Sequence, residues 1–220
     1  METPELDRRG FLRHSLIATA GLTAVVSGLE IVESTPALAA VRKPTIYSDS
    51  AWKAKPPRHA IPLVSGRPTK ILIHHTATAN STSYTKAHAF ALARSIQAGH
   101  FANGWTDTGQ HFTVSRGGIV MEGRHNTLKA LATRTKHVVG AHCPGQNDQL
   151  GIENEGNYMH QGLRAPHYNA LIHLCAYLCQ QYRISPKHIY GHRDFFATAC
   201  PGDVLHKALP KIRKDVAKAL

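Results

Sequence analysis

Acidic side chains are scarce in this chain. Over 220 residues, 14 Asp and Glu stand against 26 Lys and Arg, a formal net charge of +12 at pH 7. Such a balance favours anionic partners. Aromatic residues are also few, at 7%, with no RNA-binding aromatic signature and no helix-turn-helix pattern, so no nucleic acid is expected as partner. No internal repeat and no low-complexity tract occurs, which excludes solenoid and array architectures. Cysteine is limited to Cys143, Cys175, Cys179 and Cys200.

Long apolar runs are missing except near the N terminus. Residues 16–32 are rich in Ala, Leu and Val but are interrupted by Gly21, Ser27, Gly28 and Glu30. Arg8-Arg9-Gly10-Phe11-Leu12-Arg13 precedes them, and Pro36-Ala37-Leu38-Ala39 follows with small residues in the A-x-A pattern. The paired arginines resemble a twin-arginine export signal, and the interrupted run with a cleavage-like end argues for a removable segment over 1–39 rather than a lasting membrane span. The expectation is an exported protein, periplasmic, extracellular or attached to the wall. The remainder, 181 residues with 23 basic and 9 acidic side chains, carries +14. That length suffices for one domain with its own core. For an exported cation of this size, a bacterial wall with its peptide carboxylates and anionic polymers is the favoured partner.

Residues 40–69 hold prolines at 44, 56, 57, 62 and 68 among basic residues, which predicts an extended arm ahead of a domain over 70–220. Residues 69–73 form an apolar, β-rich run ending in His74-His75-Thr76. Residues 83–98 have helical spacing, with Ala87, Phe90, Ala91, Ala93 and Ile96 as the inward set and Gly99 as a stop. Residues 110–115 alternate as a strand, Arg116-Gly117-Gly118 makes a hairpin turn, and 119–122 return. Further strands are expected at 137–141, 150–155 and 189–191. Helices are expected at 166–182 and 204–220, with Pro210 as the candidate break in the second. Alternating strands and helices with one hairpin imply an α/β single domain whose central sheet is mixed and flanked by helices.

Sixteen histidines make any one of them weak evidence. Position is more telling. His74 and His75 end an apolar strand, His192 follows a strand in Tyr190-Gly191-His192-Arg193-Asp194, and Cys200 stands eight residues on in Thr198-Ala199-Cys200-Pro201-Gly202. Side chains emerging at strand ends are favoured for sites in such sheets. Two imidazoles and a thiolate are a three-ligand set of the kind catalytic zinc takes, with a fourth position left open. A strand alternates its side chains, so only one of His74 and His75 faces such an ion.

Six segments sharpen this reading: Ile71-Leu72-Ile73-His74-His75-Thr76-Ala77-Thr78, Gly104-Trp105-Thr106-Asp107-Thr108-Gly109-Gln110-His111-Phe112, Glu122-Gly123-Arg124, Gly140-Ala141-His142, Leu150-Gly151-Ile152-Glu153-Asn154-Glu155-Gly156, and 191–194 through 200–202. In this order they resemble the zinc amidase family that includes phage-lysozyme-type amidases and peptidoglycan recognition proteins, from about residue 70 to 205. The resemblance implies a peptidoglycan-recognition-protein-like fold and zinc-dependent hydrolysis of the amide between N-acetylmuramic acid and L-alanine in peptidoglycan. It puts one Zn2+ per chain on His74, His192 and Cys200; a monomer is expected. Zinc so held acidifies water towards a pKa of ~7 and polarises an amide carbonyl. By the same resemblance Glu153 is the base, with Glu155 second; Thr198, a hydroxyl beside the metal position, is a candidate donor to the oxyanion. The chain departs from the family at Gln110, where many members have Tyr, and at Thr198, where phage-type enzymes have Lys. Gln is neither acid nor base. The alternative is therefore a peptidoglycan-binding protein of this fold that has lost catalysis, although Cys200, often Ser in binding-only relatives, favours the enzyme. Asp194 is a candidate to orient His192, His142 to line the cleft, and Trp105 and Tyr158 to stack on sugar or fill the core. With Cys200 assigned to the metal, a disulfide of Cys143 with Cys175 or Cys179 is expected.

Overall fold

Ile71, Leu72 and Ile73 are fully buried, as a strand covered on both faces must be. They belong to β3 (Ile71–His75), in the interior of a six-stranded sheet. The computed structural model describes residues 40–220, so the signal-like segment 1–39 lies outside the described residues. The other strands of this sheet are β1 (Ile46–Tyr47), β4 (Phe112–Val114), β5 (Val120–Glu122), β7 (Leu150–Asn154) and β8 (Ile189–Gly191), in the order β1-β5-β4-β7-β3-β8. β4 and β5 are antiparallel across the Arg116–Gly118 turn, and every other pair is parallel. The sheet is mixed, as the hairpin predicts. β2 (Val64–Ser65) and β6 (Lys136–His137) make a separate antiparallel pair.

Alternation sends side chains to two different layers. Ile71, Ile73, Phe112, Val114, Leu150 and Ile152 pack with α3 (Ala165–Tyr182) and α5 (Leu209–Lys218) in the main core. Met121 packs with Trp52 and with Ala89 and Ala93 of α1 (Lys86–Ala102) in a second cluster. Two short helices, α2 (Thr127–Thr133) and α4 (Asp203–Lys207), complete the fold. Among the described residues no helix is long and apolar enough to cross a membrane.

Several sequence expectations change, among them the strand over 137–141, which is reduced to the two residues of β6. Residues 40–69 are not a free arm: β1 joins the sheet edge beside β5, and Trp52 is fully buried with its Nε1–H donated to the Glu122 carbonyl at 2.8 Å. The prolines concealed a segment that hydrogen-bonds through its few extended residues. Helix α1 runs past Gly99 to Ala102. Its true stop is Gly104, which takes φ +82° directly after the cap Asn103, the left-handed turn that favours glycine. Its buried positions are Ala89, Ala93 and Gln97, whereas Ala87 and Ala91 are exposed. Gln97 evaded an apolar pattern because it is buried as a polar clamp, bonded to Lys55 and Asp107. The closing helix breaks at Ala208, and Pro210 sits in the first turn of α5, where its missing N–H costs nothing.

No disulfide forms. All four cysteines are free. Cys175 and Cys179 are one turn apart on α3 with their sulfurs in the main core, while Cys143 lies in the 141–147 turn outside that cluster.

Because Trp52 anchors the N-terminal segment to the sheet, Trp52→Ala should destabilise the fold by ~3–5 kcal/mol, measured by denaturant unfolding. A loss below about 1 kcal/mol would mean the segment is a loose appendage after all.

Candidate metal centre

Register builds the centre. β3 pairs in parallel with β7 so that His74 lies opposite Glu153, and with β8 so that Ile73 lies opposite Gly191. Paired residues of parallel strands point to the same face, so Glu153, His74 and His192 fall in a row on the face away from α3. His75 and Asn154 point to the other face, where Asn154 Nδ2–H holds the His74 carbonyl at 2.9 Å. Its Oδ1 meets His167 Nε2 at 2.9 Å, on α3.

Cys200 comes from the turn after β8. The Arg193 N–H donates to the Cys200 carbonyl at 3.0 Å, the Arg193 guanidinium pairs with Asp203 at 2.7 Å, and Thr198 Oγ1 accepts from the Cys200 N–H at 3.2 Å. Its sulfur then stands 3.4 Å from the His75 N–H and 3.7 Å from His74 Nδ1. One ligand atom each from His74, His192 and Cys200 lies within 4.8 Å of the others. His192 Nε2 is buried with no hydrogen-bond partner among the described residues, an arrangement that costs free energy unless something binds the lone pair. The donor set and this orphaned atom fit a zinc-type ion.

Electrostatics prepares neutral donors. Burial, reinforced by the neighbouring imidazoles, holds His74 well below the ordinary histidine range. Burial also lowers His192, brings His142 down to about 4, and pushes the Cys200 thiol up to about 12. Metal ligation requires neutral imidazole, which is already present, and thiolate, which a bound cation would enforce.

The centre opens into a cleft of about 230 Å3 lined by Gln110, His142, Glu153 and Thr198 as well as the three donor residues. The Glu153 carboxyl makes no hydrogen bond to any described residue, and burial pushes it up to about 7. Glu155 is not in the cleft: its oxygens take the His88 Nε2 at 2.6 Å and the Arg116 N–H at 2.7 Å. Asp194 does not orient His192 either. It accepts from the Gly191 N–H at 2.8 Å and pairs with His206 at 2.6 Å, while Phe196 stacks on the His192 ring. Tyr158 is fully buried, and Trp105 lies at the rim, stacked on His100.

His100 is a cleft residue that no sequence signal marked. Its Nδ1 accepts the Gly109 N–H at 3.1 Å, which leaves Nε2–H free as a donor. Burial brings it down to about 4. His100 and Glu153 also border a second groove of about 280 Å3 that runs along α1 past Ile96. One histidine among sixteen, in the last turn of a helix, offers no periodicity to single it out.

Residues 65–203 match the family described as N-acetylmuramoyl-L-alanine amidase. The chain is 34% identical over 161 residues to peptidoglycan-recognition protein SC2 of Drosophila simulans, covering 72% of this chain and 80% of that protein. Its fold is similar to N-acetylmuramoyl-L-alanine amidase LysC from Clostridium intestinale, with TM-score 0.61 and 26% identity over 80% of this chain and 99% of that one. It is also similar to peptidoglycan recognition protein-LE in complex with tracheal cytotoxin, a monomeric diaminopimelic acid-type peptidoglycan, with TM-score 0.64 and 27% identity over 76% of this chain and 95% of that one. With the family's match spanning the strands and turns that carry the three donor residues, the chain belongs to the N-acetylmuramoyl-L-alanine amidase family.

Proposed function

We propose that this protein is an exported zinc amidase that hydrolyses the bond between N-acetylmuramic acid and the L-alanine of the stem peptide. The reading is carried by one observation: three donor atoms from separate segments lie within 4.8 Å of one another beside an unpartnered carboxyl in an open cleft. His74, His192 and Cys200 would hold zinc, which when bound supplies a Lewis acid that polarises the scissile carbonyl and acidifies water.

The chain's own groups do the rest. Glu153, raised to about 7, takes the proton of the attacking water as carboxylate and returns it to the leaving amine as carboxylic acid; a group poised near neutral pH serves both steps. Thr198 Oγ1 already accepts the Cys200 N–H, so its own hydrogen is free to meet the developing oxyanion. Gln110 donates its Nε2–H to Thr113 Oγ1 at 2.9 Å and positions substrate rather than moving protons. The groove along α1 gives the stem peptide a path away from the centre, and the relative bound to tracheal cytotoxin supports peptidoglycan as partner. The +14 of residues 40–220 adds attraction to anionic wall polymers.

Digestion of purified wall should release free stem peptides and leave sugar chains intact, read by mass analysis of the soluble fragments. A binding-only protein would release neither peptides nor sugars. Purified protein should hold about one zinc per chain, and Cys200→Ala should end peptide release without unfolding the protein. Peptide release by that variant at the native rate would remove the metal assignment.

Glu153→Gln should slow turnover by roughly 10²–10⁴-fold and leave wall binding unchanged; an unaltered rate places the base elsewhere. The same substitution has a stability signature. The folded-state carboxyl titrates near 7, above its ordinary 4.5, so the folded wild type binds the proton more tightly than the unfolded chain does. Its stability therefore falls as pH rises through that window and levels off above it. Thermal unfolding in excess chelator should show Glu153→Gln gaining on wild type between those two values. A constant difference would mean the carboxyl is solvated.

A further inference from the structure

Both ring nitrogens of His142 are committed. Nε2 lies 3.0 Å from the Gln149 carbonyl oxygen, and Nδ1 lies 3.0 Å from His74 Nε2. A carbonyl only accepts, so His142 Nε2 carries the hydrogen. A neutral imidazole has one such hydrogen, so His142 Nδ1 presents a lone pair and accepts from His74 Nε2–H. His74 is then left with its lone pair on Nδ1, the atom 3.7 Å from the Cys200 sulfur.

We propose that His142 is a positioning residue for the metal centre: it relays the acceptor demand of the Gln149 carbonyl through its ring, and so fixes the tautomer and plane of His74 with Nδ1 turned to the cation. The inference rests on the zinc site assigned above. His142 is not a fourth ligand, because its only lone pair is spent on His74 and the two rings meet edge to face, 5.0 Å apart at 82°. A metal-bound imidazole whose other N–H has an acceptor is oriented and made more basic by it.

The fold builds a slot for this ring. Asn147 Oδ1 accepts the N–H groups of both His142 and Cys143, at 2.8 and 2.9 Å. A Cβ on Gly151 or Gly140 would come within 2.7 Å of the His142 ring. Gly151 lies two residues before Glu153 on β7 and points to the same face, so the strand that carries the proposed base also makes room for the relay. No alternative acceptor for His74 Nε2 exists among the hydrogen bonds of the described residues.

Two experiments decide it. In zinc-loaded wild type, long-range 1H–15N spectra of the imidazoles should place the hydrogen on Nε2 of both His142 and His74, with His74 Nδ1 shifted by the metal. Finding the hydrogen on His142 Nδ1, or metal on His74 Nε2, overturns the proposal without any variant. Chelator competition should show His142→Ala binding zinc 10–100-fold more weakly than wild type, with His142→Asn, whose Oδ1 can accept near the same point, recovering part of the loss. A merely structural role would lower the melting temperature and leave the affinity of the folded protein unchanged, which also overturns it. If wild type itself takes up no zinc, the functional reading fails first; tight binding by wild type and equal binding by His142→Ala sinks the relay alone.

Discussion

Parallel hydrogen bonding of β3 to β7 on one side and β8 on the other is the constraint on which the centre depends. It aligns His74 with Glu153 and sets Gly191 beside Ile73, so that the next residue, His192, emerges level with both. A slip of one residue would turn every side chain to the opposite layer and bring His75 and Asn154 into the cleft. The apolar set Ile71, Ile73, Leu150 and Ile152 penalises that slip, because each would leave the main core. The core therefore specifies the chemistry through register rather than through contact.

The two faces of the sheet divide the work. One face carries the donors and the carboxyl, where His192 Nε2 and the Glu153 carboxyl have no hydrogen-bond partner among the described residues. The opposite face, at the same residues, is fully bonded: Asn154 ties the His74 carbonyl to His167, and Tyr158 meets His167 as well. Groups left unsatisfied at the site are costly, and the network behind them together with the α3 layer offsets that cost. A site that breaks the rule of polar satisfaction is supported by neighbours that obey it.

Much of this was legible in the sequence. The strand ending in His74, the Gly191–His192 step and the hairpin at 116–118 are local signals, and the structure has each where the pattern puts it. Long-range placements were not legible. Glu153 and Glu155 share strand parity, yet only Glu153 reaches the cleft, because His88 on α1 and the Arg116 N–H capture Glu155. Asp194 sits two residues from His192 but serves Gly191 and His206. The burial of Trp52 depends on β5, some seventy residues away, and proline content alone argued against it. Each of these turns on a partner distant in sequence, which periodicity cannot reveal.

The accessibility of sulfur has its own chemical corollary. Cys143, Cys175 and Cys179 are sealed in the interior, while Cys200 is half-buried and borders the open cleft. The atom that completes the donor triad is thus also the one thiol that oxidants or alkylating agents could approach. Occupancy by a cation would cover that sulfur, so the same ion that would equip the cleft for hydrolysis would also shield it from oxidants.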